Sequence, residues 1–494
     1  MSTTDAAERA ALTLAPNGLL LDGRWIDAEA HATLPVTDPS TGEVLVQVAD
    51  ASVQDARAAL DAAVAAQRGW AATAPRVRGE ILRRTYELMT ERNEQLALLM
   101  TLEMGKPLAE SRSEVAYAAD FFRWFSEEAV RLDGTWATAP DGASRIVTMR
   151  QPVGPCLLVT PWNFPLAMAA RKMGPAFAAG CTVIVKAAKQ TPLSMHAVAA
   201  ILQEAGLPDG VLGTITTSHA SAVVSELIRD PRLRKLSFTG STEVGQSLAA
   251  QAAATVLRVS LELGGNAPFI VFDDADVDHA VEQAVLAKLR NNGEACTAAN
   301  RFYVHESRVE EFSMKLVDRF RRLVVGRGTR KDVTLGPLID QAAVDKVAEL
   351  VAAARAEGAE LAFATPVPDG AGYFAPASVL MGVPADSRIV REEIFGPVAP
   401  IVSFRTEEEV LRWSNASEYG LAGYLFTRDL DRAIRVAEAL EVGMIGINRG
   451  VLSNPAAPFG GIKASGYGRE GGHEGIDEYV ETKYLSLSVA GPAA

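Results

Sequence analysis

Five short runs of apolar and β-branched residues alternate with alanine-rich segments across the middle of this chain. They occupy residues 157–160, 182–186, 212–217, 234–238 and 257–261. Strands that alternate with helical segments predict βαβ units, and therefore a parallel sheet wound with helices on both faces. A second alternating set follows, with a β-rich run and two helical patterns, at residues 267–272, 309–323 and 341–357. Ahead of both sets, residues 51–106 carry helical spacing, with Ser52 and Asp55 as a capping box.

Composition limits the classes of partner. The chain has 494 residues, is 48% hydrophobic, and carries a net charge of -13 with a pI near 5.2. This balance favours a soluble protein and argues against nucleic acid or an anionic membrane as a standing partner. The N-terminus does not have the pattern of a secretory signal. The uncharged stretch Met173–Val185 has 13 residues and is too short to span a bilayer.

The cysteines and histidines argue against a metal site. The three cysteines, at 156, 181 and 296, have no C-x-x-C spacing, and the six histidines are scattered. We therefore expect no metal, no disulfide framework, and a reducing cytoplasmic location. Cys156 and Cys181 each open an apolar strand-like run and are expected to be buried and inert. The chain has no G-x-S-x-G run, so a serine hydrolase is also disfavoured.

Three polar side chains are candidates for catalysis. Cys296 lies in an asparagine-rich run that contains glycine, Glu262 lies between two leucines, and Asn163 lies between Trp162 and Phe164. A thiol can attack a carbonyl carbon, and a nearby carboxylate can activate either that thiol or a water molecule. A side-chain amide can donate to the developing oxyanion. Without further information, Glu262 could equally be a solvent-facing strand residue, and Asn163 could cap a turn.

The order and separation of these three runs resemble the aldehyde dehydrogenase superfamily, from about residue 20 to the C-terminus. Two further motifs support the resemblance, namely Phe238-Thr239-Gly240-Ser241 and Glu393-Ile394-Phe395-Gly396-Pro397. The resemblance implies an α/β fold of two doubly wound parallel-sheet domains with a small oligomerisation strand region. It implies an NAD(P)-binding domain at 1–127 and 148–263, a catalytic domain at 264–477, and oligomerisation segments at 128–147 and 478–494. A homodimer or homotetramer is expected, with Leu485, Leu487 and Val489 on a C-terminal strand.

The resemblance also implies a dinucleotide site. NADP or NAD is expected to contact Thr160, Trp162, Lys186, Lys189, Gly240, Ser241, Leu263, Glu393 and Phe395. A formal G-x-G-x-x-G at 466–471 lacks the strand and helix that the dinucleotide fingerprint needs, and we interpret it as a coincidence. Where the family has Lys-Pro-Ala-Glu, this chain has Lys186-Ala187-Ala188-Lys189. Loss of that glutamate is expected to make NADP+ usable without excluding NAD+.

Within the superfamily the chain most resembles the succinate-semialdehyde dehydrogenases. The resemblance implies that Arg171, Arg290 and Ser453 hold the distal carboxylate of the substrate, because a guanidinium can bind both oxygens. Alternatively, Arg171 only pairs with acidic surface groups. Ala298 replaces the second cysteine of the subfamily, so a Cys-x-Cys redox lock cannot form.

Three alternative functions remain open. The chain could be a general aldehyde dehydrogenase for uncharged or other omega-carboxylated aldehydes. It could be a CoA-acylating enzyme, although Glu262 argues against that route because no water-activating base is needed there. In a different class, it could be a structural or binding relative that has kept the fold without turnover.

Overall fold

A computed structural model describes residues 3–488. In chain order its strands are β1 (Leu19–Leu21), β2 (Arg24–Ile26), β3 (Thr33–Thr37), β4 (Val44–Ala49), β5 (Trp136–Thr138), β6 (Ser144–Pro152), β7 (Cys156–Val159), β8 (Val183–Lys186), β9 (Leu212–Ile215), β10 (Lys235–Thr239), β11 (Arg258–Glu262), β12 (Ala267–Val271), β13 (Ala299–His305), β14 (Glu360–Ala364), β15 (Ser378–Met381), β16 (Val398–Phe404), β17 (Tyr419–Gly420), β18 (Ala422–Phe426), β19 (Met444–Ile447), β20 (Ile462–Lys463), β21 (Gly466–Tyr467) and β22 (Val480–Ser488).

The helices lie between these strands. They are α1 (Thr3–Leu12), α2 (Val53–Ala72), α3 (Pro75–Glu91), α4 (Asn93–Met104), α5 (Leu108–Glu128), α6 (Ala167–Ala179), α7 (Leu193–Glu204), α8 (Ala220–Arg229), α9 (Thr242–Ala253), α10 (Val277–Leu289), α11 (Val309–Phe320), α12 (Gln341–Ala356), α13 (Arg388–Arg391), α14 (Glu407–Asn415), α15 (Leu430–Ala439) and α16 (Glu474–Asp477), with a 3-10 turn at Arg290–Gly293.

The first sheet has the order β2-β1-β9-β8-β7-β10-β11-β21. Its five central strands are parallel and coincide with the five apolar runs of the sequence, and helices cover both faces. The chain leaves β7 toward β8 on one side and returns to β10 on the other. This point, where the strand order reverses, is where open α/β sheets bind ligands. The predicted doubly wound architecture is confirmed.

The second sheet has the order β14-β15-β16-β13-β12-β18-β19 and is parallel except for β14 at its edge. The helical patterns expected after β13 are α11 and α12. Phe269 on β12 packs against Phe302, Tyr424 and Phe426 of neighbouring strands, and these rings fill the core on one face of the sheet.

Local sequence signals fix the helical region ahead of the first sheet. Ser52 accepts hydrogen bonds from the backbone of Gln54 and Asp55, and Asp55 accepts one from Ser52, so the predicted capping box starts α2. The region predicted as helical contains three helices, α2 to α4. The last of these ends at Gly105, whose φ of 90° places it in the left-handed region that favours glycine.

A stretch near the C-terminus returns to the first sheet. Gly466 and Tyr467 form β21, which pairs antiparallel with the end of β11. The formal G-x-G-x-x-G therefore begins on a two-residue edge strand, and the next helix, α16, has four residues. The first lobe, built on the first sheet, and the second lobe, built on the second sheet, are thus joined by a segment that follows the second sheet in sequence.

A third sheet, β22-β6-β5, shares no strand with the first two sheets. Nine residues of β22 pair with β6, so the C-terminal strand pairs with the hairpin near 130–150. β6 runs through the expected boundary between residues 147 and 148, and Val489 lies outside the described residues. Trp136 and Tyr484 on this sheet are 68% and 59% exposed, which gives it an apolar surface. Within residues 3–488, no helix is long and apolar enough to cross a membrane.

Candidate active site

The carboxyl ends of four parallel strands bring the predicted side chains to one edge of the first sheet. Val159 is paired with Lys186, and Thr239 is paired with Glu262. Thr160 follows β7 directly, and its backbone N–H donates to the carbonyl of Lys186 over 3.2 Å. Residues far apart in sequence therefore meet where the topology predicts a ligand site.

Cys296 lies in the loop between the 3-10 turn and β13. The preceding residues Asn291, Asn292 and Gly293 all have positive φ, at 57°, 58° and 82°. Three left-handed residues in succession make a tight reversal, and asparagine tolerates this conformation better than other non-glycine residues. The reversal leaves the Cys296 side chain partly exposed, whereas Cys156 and Cys181 are buried as predicted.

Asn163 faces the cysteine loop from the first lobe. Its Nδ2 donates to the carbonyl of Glu294 over 2.9 Å, and its Oδ1 accepts from the backbone of Phe164 over 3.1 Å. Because an amide nitrogen carries two hydrogens, one remains for another acceptor. The amide is thus held in one orientation with a free donor beside the thiol loop.

Glu262 is buried at the end of β11 and is 3% exposed. Neither of its carboxyl oxygens has a hydrogen-bond partner within the part of the chain that the structure describes. Burial, reinforced by nearby Glu470, raises the pKa of Glu262 well above its usual range. A buried carboxyl group with free lone pairs and a high pKa is suited to take a proton from water.

The pKa of the Cys296 thiol is also raised. Burial, supported by Glu262 and Glu393 and opposed by Arg171 and Arg290, raises the pKa of Cys296 to about 11. The resting side chain is therefore a thiol. Attack on a carbonyl requires loss of that proton during or before the reaction.

One cavity of about 380 Å³ opens beside Cys296 toward the first sheet. Trp162 and Phe395 meet edge to face across it, with ring centroids 5.6 Å apart. Glu393 accepts from the backbone of Gly265 over 3.1 Å, and burial raises the pKa of its carboxyl group. The predicted residues that line this cavity are Trp162, Asn163, Gly240, Ser241, Leu263, Cys296, Glu393 and Phe395.

The helix that follows β10 begins at the cavity. Ser241 caps α9, accepting from the backbone of Val244 over 3.4 Å. Gly245 on the first turn packs so closely on Leu263 that a Cβ there would overlap the leucine side chain. A close helix N-terminus beside a glycine-lined cavity is suited to an anionic group such as a pyrophosphate.

Lys186 and Lys189 lie at the outer end of the same sheet edge. Lys186 is buried, and burial together with the neighbouring Lys189 lowers its pKa to about 8. Lys189 is exposed, and neither lysine has a carboxylate partner among the residues that the structure describes. Two unneutralised cations therefore stand together at the carboxyl end of β8.

A second, larger cavity of about 730 Å³ lies on the other side of the Asn163 loop, where Phe164 contributes to its wall. Arg290 and Ser453 also line it, and their side chains approach to 3.5 Å. Arg290 donates to Thr297, the neighbour of Cys296, over 3.4 Å. Cys296 therefore lines the smaller cavity, and its neighbour Thr297 contacts an arginine that lines the larger one.

Arg171 is buried on α6 and pairs through its Nε with Glu470. Its guanidinium lies over the ring of Phe459, 4.0 Å from the centroid, and its Nη2 has no partner among residues 3–488. The acid that pairs with Arg171 is therefore buried, so the alternative of pairing only with acidic surface groups is wrong, and Nη2 stays available.

The arrangement matches that of known enzymes. Residues 25–485 match the model of the aldehyde dehydrogenase family. The chain belongs to this family. Among aldehyde dehydrogenases it is 56% identical to the succinate-semialdehyde dehydrogenase of Paenarthrobacter nicotinovorans, over 90% of this chain and 99% of that protein.

Two further similarities bear on substrate and cofactor. The glutarate-semialdehyde dehydrogenase of Pseudomonas putida is 48% identical over 95% of this chain and 97% of that protein. A crystal structure described as an Escherichia coli NADP-dependent enzyme superposes with a TM-score of 0.95 at 47% identity, covering 97% of this chain and 99% of that one. The recognition of an aldehyde dehydrogenase from sequence is confirmed.

Two site residues were missed by sequence reasoning. Tyr117 on α5 lines the larger cavity, and its hydroxyl is buried without a partner in the described residues. Glu470, inside the G-x-G-x-x-G run, accepts hydrogen bonds from both Arg171 and Lys172. The sequence signal that could have found Glu470 is the Arg171-Lys172 pair, because two cations within an apolar helix need a buried counter-charge. Nothing in the local sequence of Tyr117 marked it.

Proposed function

We propose that this aldehyde dehydrogenase oxidises succinic semialdehyde to succinate with NAD(P)+. The observation that carries the proposal is the set of donors around the larger cavity. Tyr117, Arg290 and Ser453 line this cavity, and Arg171 is near enough to Tyr117 to oppose the burial that raises the pKa of its hydroxyl. Arg171 Nη2 and the Tyr117 hydroxyl are both buried without hydrogen-bond partners among residues 3–488. Unpaired buried donors are costly, so they point to a ligand rich in acceptor oxygens. A carboxylate on the far end of a short aldehyde supplies those oxygens and carries the complementary charge.

In the proposed reaction the Cys296 thiol loses its proton to solvent, and the thiolate attacks the aldehyde carbon to form the oxyanion of a thiohemiacetal. The free amide hydrogen of Asn163 and the backbone N–H of Cys296 stabilise the oxyanion. A nicotinamide dinucleotide, when bound, would supply the hydride acceptor that oxidation of this carbon to a Cys296 thioester requires. Glu262 then removes a proton from water, and hydroxide attack releases the acid and the thiol.

The residues present fit such a cofactor. The glycine-lined cavity, the capped start of α9 and the buried carboxyl group of Glu393 match a pyrophosphate and a ribose in chemical type. Lys186 and Lys189 supply positive charge at the adenosine end. With no carboxylate beside them in the described chain, a 2′-phosphate meets attraction and not repulsion, and this supports use of NADP+ as well as NAD+.

Domain roles, assembly and location complete the proposal. We assign residues 1–127 and 148–263 to cofactor binding, 264–477 to catalysis, and 128–147 with 478–494 to contacts between subunits of a homodimer or homotetramer. The exposed apolar side chains of the third sheet support the last assignment. Three free cysteines are consistent with a cytoplasmic enzyme.

A longer aldehyde is the main competing substrate. The volume of the larger cavity, about 730 Å³, leaves room for one more methylene group, and a relative is named for glutarate semialdehyde. A CoA-acylating reaction is disfavoured because Glu262 is available to activate water. A non-catalytic relative is disfavoured because nucleophile, base and oxyanion donor are brought together.

The deciding experiment measures kcat/KM of the purified enzyme for succinic semialdehyde, glutaric semialdehyde and butanal, each with NAD+ and NADP+. We expect the two acids to exceed butanal by at least tenfold, and succinic semialdehyde to be the better acid. Equal efficiency with butanal would contradict carboxylate recognition. Turnover that needs stoichiometric CoA would contradict hydrolysis, and cofactor binding without turnover would support a non-catalytic role.

A further inference from the structure

Asn291 links the oxyanion donor to the cysteine loop. Its Nδ2 donates to the carbonyl of Asn163 over 2.9 Å and to the carbonyl of Glu294 over 3.0 Å. The Glu294 carbonyl also accepts from Asn163 Nδ2 over 2.9 Å. The three residues therefore form a closed set of hydrogen bonds that joins the Asn163 loop to the residue two positions before Cys296.

The orientation of the Asn291 amide is fixed by its surroundings. Both contacts of Nδ2 are carbonyl oxygens, so a flipped amide would bring its own oxygen against two acceptors. Oδ1 has no partner in residues 3–488, which leaves that end of the amide without competing contacts. The side chain is fully buried, and in that environment two well-directed hydrogen bonds hold firmly.

The backbone of Asn291 contributes to the same geometry. Its φ of 57° starts the left-handed reversal that leads to Cys296, and its N–H donates to the carboxylate of Glu110. The carbonyl of Asn163 also accepts from Lys106 Nζ over 2.8 Å, and Lys106 pairs with Glu114 at 2.5 Å. The Asn163 loop is thus anchored to α5 from one side and to the cysteine loop from the other.

We propose that Asn291 is a positioning residue for the oxyanion site. Its amide holds Asn163 and the cysteine loop at the separation at which the free Asn163 hydrogen and the Cys296 N–H reach the same oxygen. This rests on the proposed function, since it assumes that Cys296 attacks a carbonyl carbon. The role is distinct from filling a left-handed position, which glycine can do as well.

Substitution by glycine separates the two roles. Asn291→Gly keeps the left-handed backbone without strain and removes the amide alone. Asn291→Asp keeps the shape and replaces the donor by an oxygen that faces two carbonyls. Asn448 is a matched control, because its φ is 52° and its Nδ2 donates to the carbonyl of Thr427 over 2.9 Å.

The test is the Cys296-dependent hydrolysis of 4-nitrophenyl acetate without cofactor, which forms the same kind of oxyanion on the same sulfur. We expect Asn291→Gly to lower kcat about tenfold with KM changed less than threefold, and Asn291→Asp to lower kcat at least as much. Asn448→Gly is expected to stay within about twofold of the parent. Melting temperatures establish that each variant is folded. If Asn291→Gly does not fold, the result for Asn291→Asp decides the test.

A double-mutant cycle isolates the mechanism. In an Asn163→Ala background, Asn291→Gly is expected to cost less than about twofold, because the donor that it positions is gone. An undiminished tenfold loss in that background, or no loss when Asn163 is present, would overturn the proposal. If the proposed function itself is wrong, the result is different. The unsubstituted enzyme then hydrolyses the ester no faster than Cys296→Ala does.

Discussion

At the residue scale, burial raises the pKa of both the proposed nucleophile and the proposed base. Cys296 has a pKa raised to about 11, and the pKa of Glu262 is raised well above its usual range. Both groups react in their deprotonated forms, so each gains activity as the pH rises toward its pKa. Arg171 opposes the rise in pKa at both groups, so one fixed positive charge acts on the proposed nucleophile and on the proposed base.

The raised pKa of Cys296 makes alkylation of the cofactor-free enzyme steeply pH-dependent. Since the thiolate is the reactive form, the rate of inactivation by iodoacetamide should rise about tenfold per pH unit from pH 7 to 9. The measurement is the pseudo-first-order rate of activity loss, with Cys296→Ala as the control for label incorporation. A rate that levels off below pH 8 would contradict a pKa near 11.

The chemistry assigned to Glu262 separates acylation from deacylation. Glu262→Gln should leave the first-turnover burst of NAD(P)H and lower the steady-state rate by about 100-fold or more, because the water-activating base is lost. Cys296→Ala should abolish both phases while cofactor binding persists. Stopped-flow absorbance at 340 nm distinguishes the two variants. A Glu262→Gln enzyme with near-normal steady-state turnover would assign the base elsewhere.

Carboxylate recognition is testable at three side chains. Arg171→Ala and Arg290→Ala should each lower kcat/KM for succinic semialdehyde roughly 10- to 100-fold, since a charge-assisted contact contributes about 1.5 to 3 kcal/mol. Tyr117→Phe should cost less, about three- to tenfold, because the hydroxyl is neutral. Butanal is the matched control substrate. Equal losses on both aldehydes would mean that the side chains support the fold and not the carboxylate.

Cofactor choice depends on the lysine pair. Lys189→Glu should shift the ratio of kcat/KM values toward NAD+ by roughly tenfold, or about 1.4 kcal/mol, because a carboxylate there repels a 2′-phosphate. Lys189→Gln, which removes only the charge, is the control and should give a smaller shift. For the parent enzyme, KM for NADP+ should increase above pH 8 as Lys186 loses its proton. An unchanged ratio in Lys189→Glu would place Lys189 away from the ribose.

At the element scale, the shortest strand of the first sheet, β21, affects the position of the buried Glu470. β21 holds the segment that delivers Glu470 to Arg171, and Gly466 at its start has a φ of 109°. A Cβ at Gly466 would overlap the carbonyl oxygen of Leu261 in β11. The strand therefore depends on one glycine for both its conformation and its close approach.

Gly466→Ala should detach β21 and lower both the melting temperature and kcat/KM for the carboxylated aldehyde. Gly206→Ala is the matched control, because Gly206 has a φ of 95° but no atom within 4 Å of the added methyl group. The control should lose about 1 kcal/mol of stability from backbone strain and keep its substrate preference. Equal effects of the two substitutions on activity would contradict a role for β21 at the site.

Sequence reasoning succeeded for elements whose signal is local. The five parallel strands of the first sheet were placed to within one or two residues, because each is a short apolar run bounded by turn residues. β21 has two residues and carries no such pattern. Glu470 and Arg171 are 299 positions apart, and a pairing at that separation depends on the tertiary fold. The roles of the catalytic and binding residues stay predictions until they are measured.

At the scale of the whole molecule, the third sheet sets the expected assembly. Light scattering should give a mass of two or four chains. Replacement of both Trp136 and Tyr484 by glutamate should dissociate the assembly into single chains, because charge would be buried in an apolar contact. Leu430→Glu is the control, since Leu430 is 72% exposed on α15 of the second lobe. A monomeric parent, or an assembly indifferent to both replacements, would contradict this interface.

The late return of the chain to the first sheet also has a consequence for biosynthesis. Arg171 and Lys172 leave the ribosome long before Glu470, and until then two buried cations lack their counter-charge. The first lobe of a nascent chain therefore cannot close fully around α6 although all of its own strands except β21 are already made. Cys296 is also translated before Glu470, so the nascent chain carries its proposed nucleophile before the surrounding pocket is finished.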